Sequence, residues 1–115
     1  MITLYGIKTC DTCRKAMKAL DAAGQAYNFV DLRADADMKA LAPGWIKAVG
    51  TDTLVNRKST TWRSLSDAEK AKADSDAGAA DLLAAHPTLV KRPVIDTGGD
   101  VCVGWTSEVQ TKVGV

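Results

Sequence analysis

The residues best suited to chemistry are two cysteines near the start of the chain. Cys10 and Cys13 are separated by two residues within the stretch LYGIKTCDTCR. A short apolar strand over Ile2 to Tyr5 precedes them, and an amphipathic helical pattern begins where they lie. The unpaired N–H groups and the positive dipole end of that helix would point at Cys10 and favour its thiolate, which is the nucleophilic form.

Charged residues close to the pair act in both directions. Positive charge comes from three neighbours in the sequence, Lys8, Arg14 and Lys15. Asp11 carries the opposite charge. We therefore expect a lowered pKa for Cys10, with a size that the sequence does not determine.

A C-x-x-C pair directly after a strand and at the start of a helix is typical of a thioredoxin-type redox motif. Cys13 would then be the resolving thiol that closes a disulfide onto Cys10. A pair of half-buried structural cysteines is the plain alternative. A zinc site built from Cys10, Cys13, Cys102 and His86 is a third, but the last two residues are isolated and form no second close pair. We predict redox use without a metal.

The bulk composition limits the class of protein. The chain has 115 residues, of which 46% are hydrophobic and 25% charged, with a net charge of +1. This length predicts one domain over residues 1–115, and the charge argues against a general nucleic-acid or membrane-surface binder. Neither a signal-peptide pattern nor a membrane-spanning stretch is present. Together with three cysteines, this favours a cytoplasmic location. We also expect a monomer with no bound cofactor.

The first third of the sequence predicts a strand, a helix and a second strand. The helix spans about Asp11 to Ala23, Gly24 ends it, and the second strand covers Ala26 to Asp31. Such a unit is long enough for the two strands to be parallel. Downstream, a helical pattern over 35–50 is interrupted by Pro43, which predicts two turns followed by a fresh helix.

The rest of the sequence predicts helices followed by a hairpin. Residues 53–64 are polar and basic and predict an irregular segment, whereas Ser66 opens a short helix with a capping box. A helix over Asp76 to Ala85 follows. Val90 and Val94 are assigned to a strand, a Gly98-Gly99 turn leads to a return strand, and Thr106 or Ser107 caps a last helix. The fold class is α/β, a thioredoxin-like four-stranded mixed sheet with a helical insertion at about 35–88.

Three blocks together resemble a known family. They are LYGIKTCDT at residues 4–12, NRKSTTWR at 56–63 and KRP at 91–93. In this order and spacing they are similar to the arsenate reductase-related family, the ArsC/Spx/YffB group, and most of all to its YffB-like branch. The likeness covers nearly the whole chain. It implies a thioredoxin-like fold with a helical insertion, and a nucleophilic cysteine at Cys10.

The resemblance also implies arginines beside that cysteine, at Arg57 and Arg92. Arginine suits this task because its planar fork can bond two oxygens of a substrate while its charge holds a thiolate. It further implies that Pro93 follows a cis peptide bond and faces Cys10; the plain alternative is a trans proline at the start of an edge strand. The residues expected to contact substrate are Lys8, Thr9, Asp11, Thr12 and Pro93.

Two departures from the family pattern affect the expected reaction. Arsenate reductases of this family carry a third arginine near the end of the last strand, where this chain has Gly104. Loss of one cation would cost about 1.5–3 kcal/mol if nothing replaces its charge-assisted bond. Cys13, in contrast, supplies a resolving thiol that single-cysteine members lack, and it allows a mixed disulfide to be released internally.

These observations predict a thiol–disulfide oxidoreductase with Cys10 as nucleophile and Cys13 as resolving thiol. Its substrate would be a small thiol or disulfide, with glutathione as co-substrate or a thioredoxin-type protein as reductant. Two alternatives stay open at this point. One is arsenate reduction, and the other is a Spx-type redox sensor that binds RNA polymerase, in which the disulfide is a switch and no turnover occurs.

Overall fold

The computed structural model describes residues 2–115, which form two compact units. The sheet unit comprises the chain up to Ala36 together with Arg92–Val115, and the helical unit comprises Asp37–Lys91. In chain order the elements are β1 (Ile2–Gly6), α1 (Asp11–Ala22), β2 (Tyr27–Asp31), α2 (Met38–Val49), α3 (Thr51–Leu54), α4 (Thr60–Arg63), α5 (Asp67–Ala71), α6 (Asp76–Ala85), β3 (Val94–Asp96), β4 (Val101–Val103) and α7 (Ser107–Lys112). Short 3-10 turns cover Lys72–Asp74 and Pro87–Leu89.

The four strands form one mixed sheet in the order β2-β1-β3-β4. Strand β1 runs parallel to β2 and antiparallel to β3, and β3 runs antiparallel to β4. At the centre, Leu4 lies opposite both Phe29 and Ile95. The predicted α/β class with a four-stranded mixed sheet is therefore confirmed, as are the parallel strands on either side of α1.

One face of the sheet carries the core of this unit. The buried side chains come from three strands and from helices α1 and α7: Ile2, Leu4, Ala16, Leu20, Ile95, Cys102, Val109 and Val113. In β1 the buried residues alternate with half-buried ones, as a strand with one face on a core requires. Burial of each large aliphatic side chain stabilises the fold by about 1.5–3 kcal/mol.

Turns connect these elements as the sequence predicts. Helix α1 ends where Gly24 takes a positive φ of 69°, and the N–H of Gln25 reaches back to the carbonyl of Leu20. The β3–β4 hairpin turns at Gly98, whose φ is 95°, and Thr106 caps α7 through the N–H of Val109. These glycines stand where an L side chain would be strained.

In the helical unit, one prediction was wrong. Pro43 does not break the helix, because α2 runs without interruption from Met38 to Val49. The proline removes one N–H, which would have bonded the carbonyl of Lys39, and the rest of the ladder continues. Burial of Trp45 and Ile46 on a helix that packs against α6 compensates for that loss.

The basic segment was also predicted wrongly as irregular. It holds the end of α3 and the whole of α4, and only residues 55–59 between them are irregular. Ser59 caps α4 by accepting a hydrogen bond from the N–H of Trp62. Val90 lies outside the sheet and pairs only with Val55, in an isolated bridge. The capping box at Ser66 and the bounds of α6 agree with the sequence prediction.

Across residues 2–115, no helix is both long and apolar enough to traverse a bilayer.

Candidate active site

Cys10 lies between the end of strand β1 and the first residue of helix α1. A tight turn brings its N–H to the carbonyl of Ile7 at 3.0 Å, and Cys10 itself occupies the N-cap position with an extended backbone. Its carbonyl accepts the first helical hydrogen bond, from the N–H of Arg14 at 3.0 Å. The sulfur is half-buried and stands at the positive end of a twelve-residue helix, where backbone N–H groups are free to face an anion.

Two neighbouring side chains act on the sulfur of Cys10. Partial burial by itself would raise the pKa of this thiol, but four interactions outweigh it and the pKa is lowered. The backbone N–H and the thiol of Cys13 both hydrogen-bond the sulfur, Arg92 donates another hydrogen bond, and the Arg92 charge favours the anion. The site thus favours a thiolate at Cys10.

Cys13 has the opposite character. It lies one turn along α1, is fully buried, and is a free thiol, as are Cys10 and Cys102. Burial is the main cause that raises its pKa to about 11; the N–H of Ile7 acts against this, and the charge of Cys10 adds to it. Cys13 therefore keeps its proton and donates it in a hydrogen bond to Cys10. The two thiols therefore differ: the pKa of Cys10 is lowered, whereas that of Cys13 is raised.

Arg92 reaches the cysteine from the start of the last hairpin. The bond between Arg92 and Pro93 is cis, as the family resemblance implied, and Pro93 is buried. The carbonyl of Pro93 accepts the N–H of Gly104 at 2.9 Å, and Gly104 is buried with a φ of 84°. The position that carries an arginine in arsenate reductases is therefore held here in a backbone conformation that favours glycine.

The other residues predicted to contact substrate are exposed, namely Lys8, Thr9, Asp11 and Thr12. Of the cations predicted from the sequence, Lys8 places its ammonium 5.7 Å from the ring centre of Phe29, and Arg14 donates its Nε–H to the carbonyl of Lys8 at 3.0 Å. The cation that lowers the pKa of Cys10 is Arg92, which lies far away in the sequence and which the family resemblance placed beside this cysteine.

Arg57 belongs to the helical unit, where it follows α3. Its guanidinium bonds the carboxylate of Asp52 at 2.8 Å and lies over the ring of Trp62 at 5.4 Å from the ring centre. Its side chain is 38% exposed. The guanidinium thus has one anionic and one aromatic neighbour, and its role beside Cys10 stays a prediction.

Two of the four residues in the zinc alternative, Cys102 and His86, have other contacts in the structure. Cys102 is buried in the core of the sheet, and His86 pairs through Nε2 with Glu69 at 3.1 Å. Within residues 2–115 no group of three metal-binding side chains comes together.

Sequence reasoning missed two contributors to the site: Gly6, which packs directly on the sulfur of Cys13, and the N–H of Ile7. A glycine at the end of a buried strand was the available signal for the first.

The mixed four-stranded sheet and the cysteine pair at the start of α1 define a thioredoxin-like protein with a thiol-based redox centre. Residues 5–113 match the model of the ArsC family, and the chain belongs to that family. It is 40% identical over 109 residues to an uncharacterized protein of Haemophilus influenzae, and the match covers 94% of each chain.

Solved structures support the same assignment. The chain is similar to the YffB protein at a TM-score of 0.91 and 37% identity, with complete coverage of both chains. It is also similar to an arsenate reductase (ArsC) related protein from Brucella melitensis, at a TM-score of 0.74 and 34% identity, over 99% of this chain and 95% of that one.

Proposed function

We propose that the protein is a glutathione-dependent thiol–disulfide reductase. The observation that carries this proposal is the asymmetry of the cysteine pair: the pKa of Cys10 is lowered by Cys13 and Arg92, whereas that of Cys13 is raised to about 11. A low-pKa, half-exposed thiol beside a buried protonated one is suited to attack on a disulfide followed by internal release.

The first step joins Cys10 to its substrate. The Cys10 thiolate attacks the glutathione sulfur of a mixed disulfide, a new sulfur–sulfur bond forms, and the substrate leaves as a thiolate. Arg92 stabilises the charge on Cys10 before attack. We assign the carboxylates of glutathione to Arg57, and further contacts to the exposed side chains that flank Cys10, namely Lys8, Thr9, Asp11 and Thr12.

The second step frees the glutathione. Once Cys10 is in a mixed disulfide, its negative charge is gone, and with it one cause of the high pKa of Cys13. Cys13 then loses its proton to the departing glutathione thiolate and attacks the sulfur of Cys10, which closes the Cys10–Cys13 disulfide. Two further glutathione molecules, or a thioredoxin-type dithiol, reduce that disulfide and restore the starting state. The reaction uses no metal and no prosthetic group.

The decisive experiment compares single-cysteine variants in the glutathione-dependent reduction of a small mixed disulfide. Cys10→Ser should abolish turnover, whereas Cys102→Ala should retain it, since Cys102 is buried in the core of the sheet. Full turnover by Cys10→Ser would overturn the proposal. No turnover by the unaltered protein, together with reversible closure of the cysteine pair, would favour a redox switch instead.

A further inference from the structure

The sulfur of Cys13 occupies space that a side chain at position 6 would need. Gly6 is the last residue of β1 and is buried. A Cβ atom built on Gly6 would lie 2.6 Å from Sγ of Cys13 but 3.4 Å from its Cβ. The first distance is well inside van der Waals contact, and the second is an ordinary contact. Cδ2 of Leu4 lies 3.3 Å from the same built Cβ, a tight contact that a shift of a few tenths of an ångström relieves. Any residue other than glycine would therefore act mainly by displacing the sulfur of Cys13.

That sulfur has little freedom apart from its side-chain rotamer. The backbone of Cys13 is held in the first turn of α1, so rotation about χ1 is what decides where the thiol lies. In the present rotamer the sulfur accepts a hydrogen bond from the N–H of Ile7, and its thiol donates one to the sulfur of Cys10. The residue is completely shielded from solvent. A change of rotamer would give up these two hydrogen bonds together.

We propose that Gly6 is a positioning residue for the cysteine pair: because it has no side chain, the thiol of Cys13 has room for the rotamer that donates to Cys10. Gly6 acts through Cys13 and contacts no substrate. The inference deepens the proposed function, because it concerns the same pair. Its test, however, measures the ionisation of Cys10 rather than turnover, and the two can fail separately.

The charges around the pair define what the loss of this contact would do. Arg92 is the one charged group, other than the cysteines themselves, that acts on both sulfurs among the described residues. If Cys13 leaves its rotamer, Cys10 keeps Arg92 and the backbone N–H of residue 13 but loses the thiol donor. The pKa of Cys10 should then rise without reaching that of an unassisted buried thiol.

The experiment is a double-variant cycle on the reduced, full-length protein. Alkylation of Cys10 by iodoacetamide is followed against pH, with mass spectrometry to separate the three cysteines, in the unaltered protein, Gly6→Ala, Cys13→Ala and the double variant. Gly6→Ala should move the Cys10 profile to higher pH and slow alkylation at pH 7 roughly two- to tenfold, the effect of losing one net hydrogen bond. In the Cys13→Ala background, Gly6→Ala should have no further effect, because the displaced sulfur is absent.

Two measurements guard against a general effect of the substitution. Gly44→Ala is the matched control, since Gly44 has no atom within 4 Å of a built Cβ and its profile should be unchanged. If Gly6→Ala alone fails to fold but the double variant folds, the clash through sulfur is supported. An unchanged profile in Gly6→Ala, an equal effect in both backgrounds, or failure of both variants to fold would overturn the proposal.

Discussion

The guanidinium of Arg92 hydrogen-bonds the sulfur of Cys10, although the two residues come from opposite ends of the sequence. Arg92 immediately precedes the cis-proline and β3, whereas Cys10 caps α1 after β1. Antiparallel pairing of β1 with β3 brings these two segments together, with Tyr5 opposite Val94. Strand pairing in the sheet therefore places the cation that favours the thiolate. The local sequence around Cys10 determines only that a helix begins there.

Replacement of Arg92 by methionine should raise the pKa of Cys10 toward that of an ordinary thiol, because one hydrogen bond and one positive charge are removed. We expect kcat/KM for mixed-disulfide reduction to fall about ten- to a hundredfold, as the loss of one charge-assisted bond implies. The pH profile of Cys10 alkylation gives the pKa directly. Arg63→Met, at an exposed position on α4, is the control, and overlapping profiles for the Arg92 variant and the unaltered protein would contradict the prediction.

Two substitutions at Cys13 should separate its roles as donor and as resolving thiol. Cys13→Ser keeps a hydroxyl donor near Cys10 and should retain more of the lowered pKa than Cys13→Ala does. Both variants should accumulate the Cys10–glutathione mixed disulfide, since neither can release it internally. Alkylation rates and intact-mass spectra measure the two effects. Identical alkylation profiles in all three proteins would exclude a donor role for Cys13.

The buried thiol of Cys13 should also make the reduced protein less stable in alkali. Its folded pKa of about 11 lies above the ordinary value of 9.0, so the stability it contributes is complete below pH 9 and is lost as the pH rises toward 11. The loss in unfolding free energy should reach about 1 kcal/mol by pH 10. Urea unfolding at pH 7.5 and pH 10 under reducing conditions measures it. Cys13→Ala should show a smaller loss, and an equal loss in both proteins would refute the assignment.

Substitution of Gly104 should destabilise the fold, because its backbone has a positive φ. Gly104→Ala places a side chain at a φ of 84° and should lower the unfolding free energy by about 1–2 kcal/mol. Gly99→Ala, in a turn with open space around it and no positive φ, should cost little. Thermal unfolding compares the two. For the same reason Gly104→Arg should be destabilising. We expect disulfide turnover but no arsenate turnover in the unaltered protein, and Gly104→Arg should not create arsenate turnover.

Arg57 should affect turnover if it holds the carboxylates of glutathione. Arg57→Gln removes the cation but leaves a polar side chain over Trp62, and we expect the KM for glutathione to rise with a fall in kcat/KM of about tenfold. Steady-state kinetics at varied glutathione measures this. Lys58→Gln, the adjacent exposed cation, is the matched control. Equal kinetics for the Arg57 variant and the unaltered protein would remove Arg57 from the site.

Several features follow from short stretches of sequence. The C-x-x-C pair at a helix start, the glycine that ends α1, the capping box at Ser66 and the hairpin turn at Gly98 all depend on neighbours within a few residues. Their energetics are local, so residue type and spacing were sufficient to predict them. The resemblance to the family added the cis-proline, which no local pattern indicates.

Other features were decided by tertiary structure. A local rule predicted that Pro43 would end a helix, yet burial of Trp45 and Ile46 outweighs one missing hydrogen bond. Lys8 and Arg14, the cations closest to Cys10 in the sequence, point to Phe29 and to a backbone carbonyl, while Arg92 reaches the sulfur. The sequence alone thus determined that a cysteine pair would stand at a helix start. The resemblance to the family had placed Arg92 beside Cys10. Only the folded chain decided that the nearer cations turn elsewhere and where Cys13 points, because those contacts depend on how the strands and helix pack.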